Sequence, residues 1–69
     1  MKEQKKLGKR IKELRENQKL TRHELSLISM VNYTTLMNIE NGKTNPKVET
    51  LHRLSVFLDV KMKELFNYE

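Results

Sequence analysis

The chain of 69 residues contains no cysteine. That removes disulfides, thiolate catalysis and cysteine-ligated zinc together, and it suits a reducing compartment. There is no apolar run of membrane-spanning length and no signal-peptide core. The cytoplasm is therefore the expected location, with no membrane partner. No glycine-rich phosphate loop can be drawn. No strand pattern, internal repeat or low-complexity segment interrupts the sequence. His23 and His52 are far apart and lack a nucleophile or a ligand set beside them, so both read as surface histidines. The acidic residues lack metal-loop spacing. No catalytic residue, metal or cofactor is expected.

What the chain does have is positive charge and helical periodicity. Fourteen Lys and Arg against nine Asp and Glu leave a net charge of +5, and a basic excess attracts polyanions. Hydrophobic residues make up only 36%, yet they fall at helical spacing, which marks a folded chain rather than a disordered one. This length accommodates one small domain, residues 1–69, with a thin core that idealised helix packing or dimerisation must support.

Leu7, Ile11 and Leu14 form the apolar stripe of a first helix. Gly8 lowers its propensity by about 1 kcal/mol relative to Ala, and close packing is the expected reason. Residues 1–6 are charged and expected to fray. Lys9, Lys12, Glu13 and Glu16 read as a solvated face, with Lys9 and Lys12 as weaker candidates for phosphate contact. Asn17 to Lys19 end the helix. Thr21 and Glu24 then form a capping box for a short helix with Leu25 inside. The pattern breaks at Ser29-Met30-Val31. Asn32 is a second N-cap, for a helix from about Tyr33 to Glu40 with Leu36 and Ile39 buried. Asn41-Gly42 stops it, Gly42 taking the left-handed conformation. These two helices form a helix-turn-helix candidate. After a loop through Pro46, Val48, Leu51, Leu54, Ser55 and Leu58 mark a fourth helix, about 48–58. Val60 is core. Met62, Leu65 and Phe66 mark a last short helix, 62–67, before a frayed end at 67–69. The fold class is all-α, a compact bundle of five short helices.

Residues 20–46 resemble the lambda-repressor-like DNA-binding domain, the Cro/repressor or Xre family. That family reads L-T/S-x-x-E-L-A, then G-V-S, then a recognition helix, then I-E-N/R-G-K-x-x-P. Leu20-Thr21, Glu24-Leu25, Val31, Leu36, Ile39-Glu40-Asn41-Gly42-Lys43 and Pro46 match it without a gap. The likeness extends back to Ile11, Leu14 and Arg15, and on to Leu51, Leu54, Leu58, Val60 and Glu64-Leu65-Phe66. It covers nearly the whole chain. Departures are Leu27 for a charge, Ser26 for an alanine, Met30 for the turn glycine, Lys47 for a capping serine and Asp59 for a C-terminal glycine.

The resemblance implies a sequence-specific regulator of transcription that binds double-stranded DNA as a homodimer, with helix 33–40 in the major groove. Helical spacing puts Tyr33, Thr34, Met37, Asn38 and Asn41 on one side of that helix and Thr35, Leu36 and Ile39 on the packing side. Tyr33, Thr34, Met37 and Asn38 are the base-reading candidates. Asn38 has the best chemistry, since its amide can pair with N6 and N7 of adenine at once. Thr21, Arg22, Asn32, Asn41, Gly42 and Lys43 are the phosphate candidates, at helix N-termini and the N-G-K loop. Arg22 opposes its helix dipole and so looks placed for a phosphate. Glu40 closes a helix C-terminus and needs a cation; the resemblance pairs it with Arg15. Val56, Phe57, Met62, Phe66 and Tyr68 are the expected dimer surface; the competing view has Phe57 and Phe66 fill a monomer core. Narrower alternatives are a restriction–modification controller protein, or an antitoxin with a toxin as protein partner. A different class is a protein-interaction module that has lost DNA binding.

Overall fold

The computed structural model describes residues 2–68. It contains α1 (Lys2–Asn17), α2 (Arg22–Ser29), α3 (Tyr33–Glu40), α4 (Val48–Phe57) and a 3-10 helix (Met62–Phe66). No strand occurs among the described residues. The fifth helix is a tight 3-10 segment because five residues, started at Lys61 without a side-chain cap, are too few to sustain α geometry.

The core is built from one apolar stripe per helix. Leu7, Ile11 and Leu14 of α1 meet Leu25 of α2, Leu36 and Ile39 of α3, Leu51 and Leu54 of α4, and Val31, Leu58 and Leu65. Leu20, Val60, Met62 and Tyr68 pack against it from the edges. Val48, read from spacing as part of the fourth stripe, is exposed instead. It lies in the first turn of α4, ahead of the point where Leu51 reaches the core. Tyr68, expected in a frayed end, is held by that packing; Glu69 lies outside the described residues.

The expected fraying of residues 1–6 does not occur at Lys2–Lys6, which are helical; Met1 lies outside the described residues. Gly42 supplies the reason. A Cβ there would come within 2.7 Å of Lys5 Cα, so the loop after α3 rests directly on the first turns of α1.

Three helices end in the same way. After α1, Lys19 takes φ 59°, its N–H donates to Glu16 O, and the N–H of Leu20 donates to Arg15 O. After α3, Gly42 takes φ 71°, with Gly42 N–H to Ile39 O and Lys43 N–H to Asn38 O. After α4, Asp59 takes φ 59°, with Asp59 N–H to Val56 O and Val60 N–H to Ser55 O. This paired bonding is the Schellman motif, and the apolar residues that follow, Leu20 and Val60, reach back to the core.

Helix α2 ends on Met30, also left-handed at φ 59°. For a residue with a Cβ this conformation costs about 1 kcal/mol. The Met30 side chain is 80% exposed, so removing it sacrifices little packing. Met30→Gly is expected to raise the unfolding free energy by a few tenths to about 1 kcal/mol, the flexibility of glycine in the unfolded chain offsetting part of the relief. Urea denaturation measures it; a midpoint that stays put or falls contradicts the assignment.

Candidate nucleic-acid interface

Helix α3 is fixed from behind and open in front. Its buried side consists of Leu36, Ile39 and Glu40. The Glu40 side chain is completely enclosed. Arg15 Nε donates to Glu40 Oε2 at 2.7 Å and Arg15 Nη2 to Oε1 at 3.0 Å. The third nitrogen, Nη1, donates to the Leu20 carbonyl at 2.8 Å. These charge-assisted bonds push the Arg15 guanidinium above its already high ordinary pKa, against the opposing effect of burial. Arg22 Nε donates to Glu40 Oε1 at 3.1 Å. One carboxylate thus ties α1 and α2 to the C-terminal end of α3.

The pairing of Arg15 with Glu40 is present in this structure, and Arg22 joins it. A cation in the first turn of α2 is better explained by a phosphate than by helix stability. The fold gives it Glu40 as partner, and its guanidinium carbon lies 6.0 Å from the Tyr33 ring centre. His23 flanks the same ring, with centroids 6.2 Å apart. Tyr33 is therefore braced by α2 while remaining 42% exposed.

The start of α2 has the expected reciprocal capping box. Glu24 N–H donates to Thr21 Oγ at 3.0 Å, and Thr21 N–H donates to Glu24 Oε1 at 2.8 Å. The box leaves the N–H groups of Arg22 and His23 without intrahelical acceptors, which is the arrangement that receives an anion. At α3, Asn32 Oδ1 accepts from the N–H of Thr34 at 2.9 Å and of Thr35 at 3.3 Å.

On the outward side of α3, Thr34 and Asn41 are exposed and Met37 and Asn38 half-buried. Thr35, which spacing assigns to the packing side, is exposed as well. It lies at the edge of the buried stripe, where α4 approaches but does not cover it. An open groove of about 210 Å³ remains there, bordered by Thr35, Asn32, Thr50 and Arg53. Thr35 thus joins the polar surface, and its hydroxyl was the one sequence signal for that position.

The Asn41-Gly42-Lys43 loop is also narrower in its possibilities than the sequence suggests. All three N–H groups are used in ending α3, by Met37 O, Ile39 O and Asn38 O. Contacts to an anion must come from the Asn41 and Lys43 side chains, both exposed. Gly42 has neither a side chain nor an unused N–H, and its presence is explained by its left-handed φ and its packing on Lys5.

Toward the C-terminus, Val56, Phe57 and Phe66 are exposed at 54%, 44% and 47%. They do not fill the core, which is completed there by Leu54, Leu58 and Leu65. Met62 and Tyr68 are partly withdrawn against the core, so the exposed apolar surface is smaller than the five residues proposed from sequence. Arg10 was missed by sequence reading altogether. Its Nε donates to Glu64 O at 2.9 Å and its Nη1 to Glu13 Oε1 at 2.8 Å, fastening the 3-10 helix to α1. Only tertiary contact reveals this, since Glu64 is 54 residues away. Among the described residues no group able to hold a metal occurs, and none of their helices is long and apolar enough to cross a membrane.

Known proteins share this architecture. A helix-turn-helix family model matches residues 11–65. An uncharacterized HTH-type transcriptional regulator of Bacillus subtilis, RghRB, is 37% identical over 59 residues. That alignment takes in 84% of this chain and 42% of the relative, so the chain spans less than half of that protein's length. The crystal structure of the restriction-modification controller protein C.AhdI from Aeromonas hydrophila superposes with a TM-score of 0.93 at 27% identity, over 96% of this chain and 100% of that one. The braced α3, the capped turn before it and these likenesses agree: the chain belongs to the helix-turn-helix family of lambda-repressor-like, or Xre-type, DNA-binding regulators.

Proposed function

We infer that this chain is a sequence-specific, double-stranded-DNA-binding regulator of transcription that sets α3 into the major groove and works as a homodimer. The observation that supports it best is the asymmetry of α3: pinned through Glu40 to both α1 and α2, it turns a largely polar strip of Thr34, Met37, Asn38 and Asn41 wholly or partly to solvent. Asn38 is the principal base reader, with Thr34, Met37 and Tyr33 beside it. Thr21, Asn32, Asn41 and Lys43 hold the phosphates, and the braced Arg22 adds charge at the start of α2. Exposed Val56, Phe57 and Phe66 supply the apolar surface for a second copy. A dimer places two recognition helices about 34–36 Å apart, one turn of duplex. Occupation of a promoter then blocks or recruits polymerase.

Selection of bound duplexes from a random pool tests this. A palindromic site with half-sites one turn apart is the expected result; no enrichment contradicts the reading and favours a protein-interaction role. Sedimentation that shows only monomer, free and on DNA, removes the dimer.

Reading and anchoring separate in two variants. Asn38→Ala is expected to weaken the selected site by about 1–3 kcal/mol and scrambled DNA little. Lys43→Ala should weaken both alike and lower the salt slope by about one unit per monomer, one released counterion. Titrations on both duplexes at several salt concentrations decide it. Equal loss on both from Asn38→Ala means that Asn38 does not read a base.

A narrower reading is favoured by the fold match to C.AhdI over that protein's full length: a controller protein of a restriction–modification system. It predicts binding upstream of neighbouring restriction and modification genes.

A further inference from the structure

Helix α1 leans on α3 along one edge. A Cβ on Gly8 would collide with the carbonyl oxygens of Ile39 and Glu40, and Lys5 abuts Gly42. The flank of α1 that borders the C-terminal end of α3 is therefore the one carrying Lys5 and Lys12, which stand three residues before and four after Gly8. Lys2 and Lys9 complete the row. Lys2, Lys5, Lys9 and Lys12 recur at three- and four-residue intervals over about 15 Å of helix, and all four are exposed.

Two further facts bear on this row. First, the ion pairs among the described residues use Arg10, Arg15 and Arg22 as cations, and none uses a lysine of the row. Of the acids on α1, Glu13 is bonded to Arg10, Glu3 sits off the row, and Glu16 lies one turn beyond Lys12. Second, such a row works against its own helix. Like charges at these spacings repel by about 0.2–0.5 kcal/mol per pair, and cations in the first turns oppose the helix dipole. A polyanion alongside would reverse both penalties.

We propose that the lysine row on α1 is a second phosphate-binding strip, gripping the DNA backbone outside the bases faced by α3. This rests on the DNA-binding reading above. Lys43 bridges the two surfaces, because its loop meets α1 where Gly42 touches Lys5. One strand presents a phosphate every 3.4 Å of duplex axis, so a row of about 15 Å spans roughly four. Flexible lysine stems reach them as point charges without needing fixed geometry. The strip adds affinity, footprint and salt dependence, and leaves base preference alone.

The test compares two charge-matched variants of the chain on the duplex selected by the wild type and on a scrambled duplex. Lys5→Gln/Lys9→Gln removes two charges from the row. Lys61→Gln/Lys63→Gln removes two from the start of the 3-10 helix and the residue before it; that helix packs on α1 and α4. The row variant is expected to lower the log–log salt slope by about two units per monomer and to lose tens-fold in affinity near 0.15 M salt, on both duplexes alike. The control pair should change the slope far less. Equal thermal midpoints verify the fold; if Lys5→Gln disturbs it, Lys9→Gln/Lys12→Gln serves with the same expectation. A row variant indistinguishable from the control overturns the strip while leaving DNA binding intact. A wild type that enriches no duplex overturns the DNA-binding reading, and the strip falls with it.

Discussion

Glu40→Ala is expected to destabilise the fold by about 3–5 kcal/mol, the cost of breaking a buried ion pair from one side. The carboxylate accepts three hydrogen bonds from two guanidinium groups in a fully enclosed position. Its removal leaves Arg15, itself buried, with only the Leu20 carbonyl. A domain of this size holds on the order of 3–10 kcal/mol in total, so the variant should be largely unfolded or close to it at room temperature. Glu40→Gln, which keeps shape and loses charge, should fall between. Arg22→Ala should cost less than about 1 kcal/mol, because Arg22 is partly exposed and Arg15 still neutralises the carboxylate. Replacing the pair together, Arg15→Met with Glu40→Leu, should recover most of the loss, since apolar residues of similar volume can serve a buried site as well as an ion pair. Urea melts followed by circular dichroism rank the four. A loss below about 1 kcal/mol for Glu40→Ala means that the cluster contributes little beyond a surface pair.

Gly8→Ala tests the same junction from the opposite side, and the two physical effects at stake differ in sign. Helix propensity alone predicts a gain of about 1 kcal/mol. Packing predicts a loss, because the new methyl meets Ile39 O and comes 2.7 Å from Glu40 O, both main-chain atoms that cannot swing aside. Helix α1 must lift from the end of α3. Overpacking of this kind costs about 1–3 kcal/mol, and packing is expected to win. Lifting α1 also draws Arg15 away from Glu40, so Gly8→Ala and Glu40→Ala should be less than additive. A stabilised Gly8→Ala would show that the two helices can separate without cost.

The pattern of success in the sequence reading follows from how far each signal reaches along the chain. The capping box at Thr21 and Glu24, the Asn32 cap and the stop at Gly42 are legible because each depends on residues within four positions of one another. The left-handed residues at Met30 and Asp59 were foreseen as substitutes for glycine; Lys19, which does the same after α1, carries no such mark. The apolar stripes gave the core of each helix but not its edges. Thr35 stands beside buried Leu36 and Val48 one turn before buried Leu51, and which of these positions faces solvent depends on where a neighbouring helix passes.

By itself the sequence determined the number and order of the helices, the bounds of α3, the motif that places the chain in its family, and most of the polar side of α3. Local hydrogen bonding and helical periodicity decide all of these, and both are written within a turn or two of chain. Tertiary structure alone decided that Arg22 belongs to Glu40, that Arg10 belongs to Glu64, that Gly42 seats Lys5, and that Phe57 and Phe66 stay outside the core. Each is a meeting of residues distant in sequence, set by how closely two helices approach, and Gly8 governs one such approach by having no side chain at all.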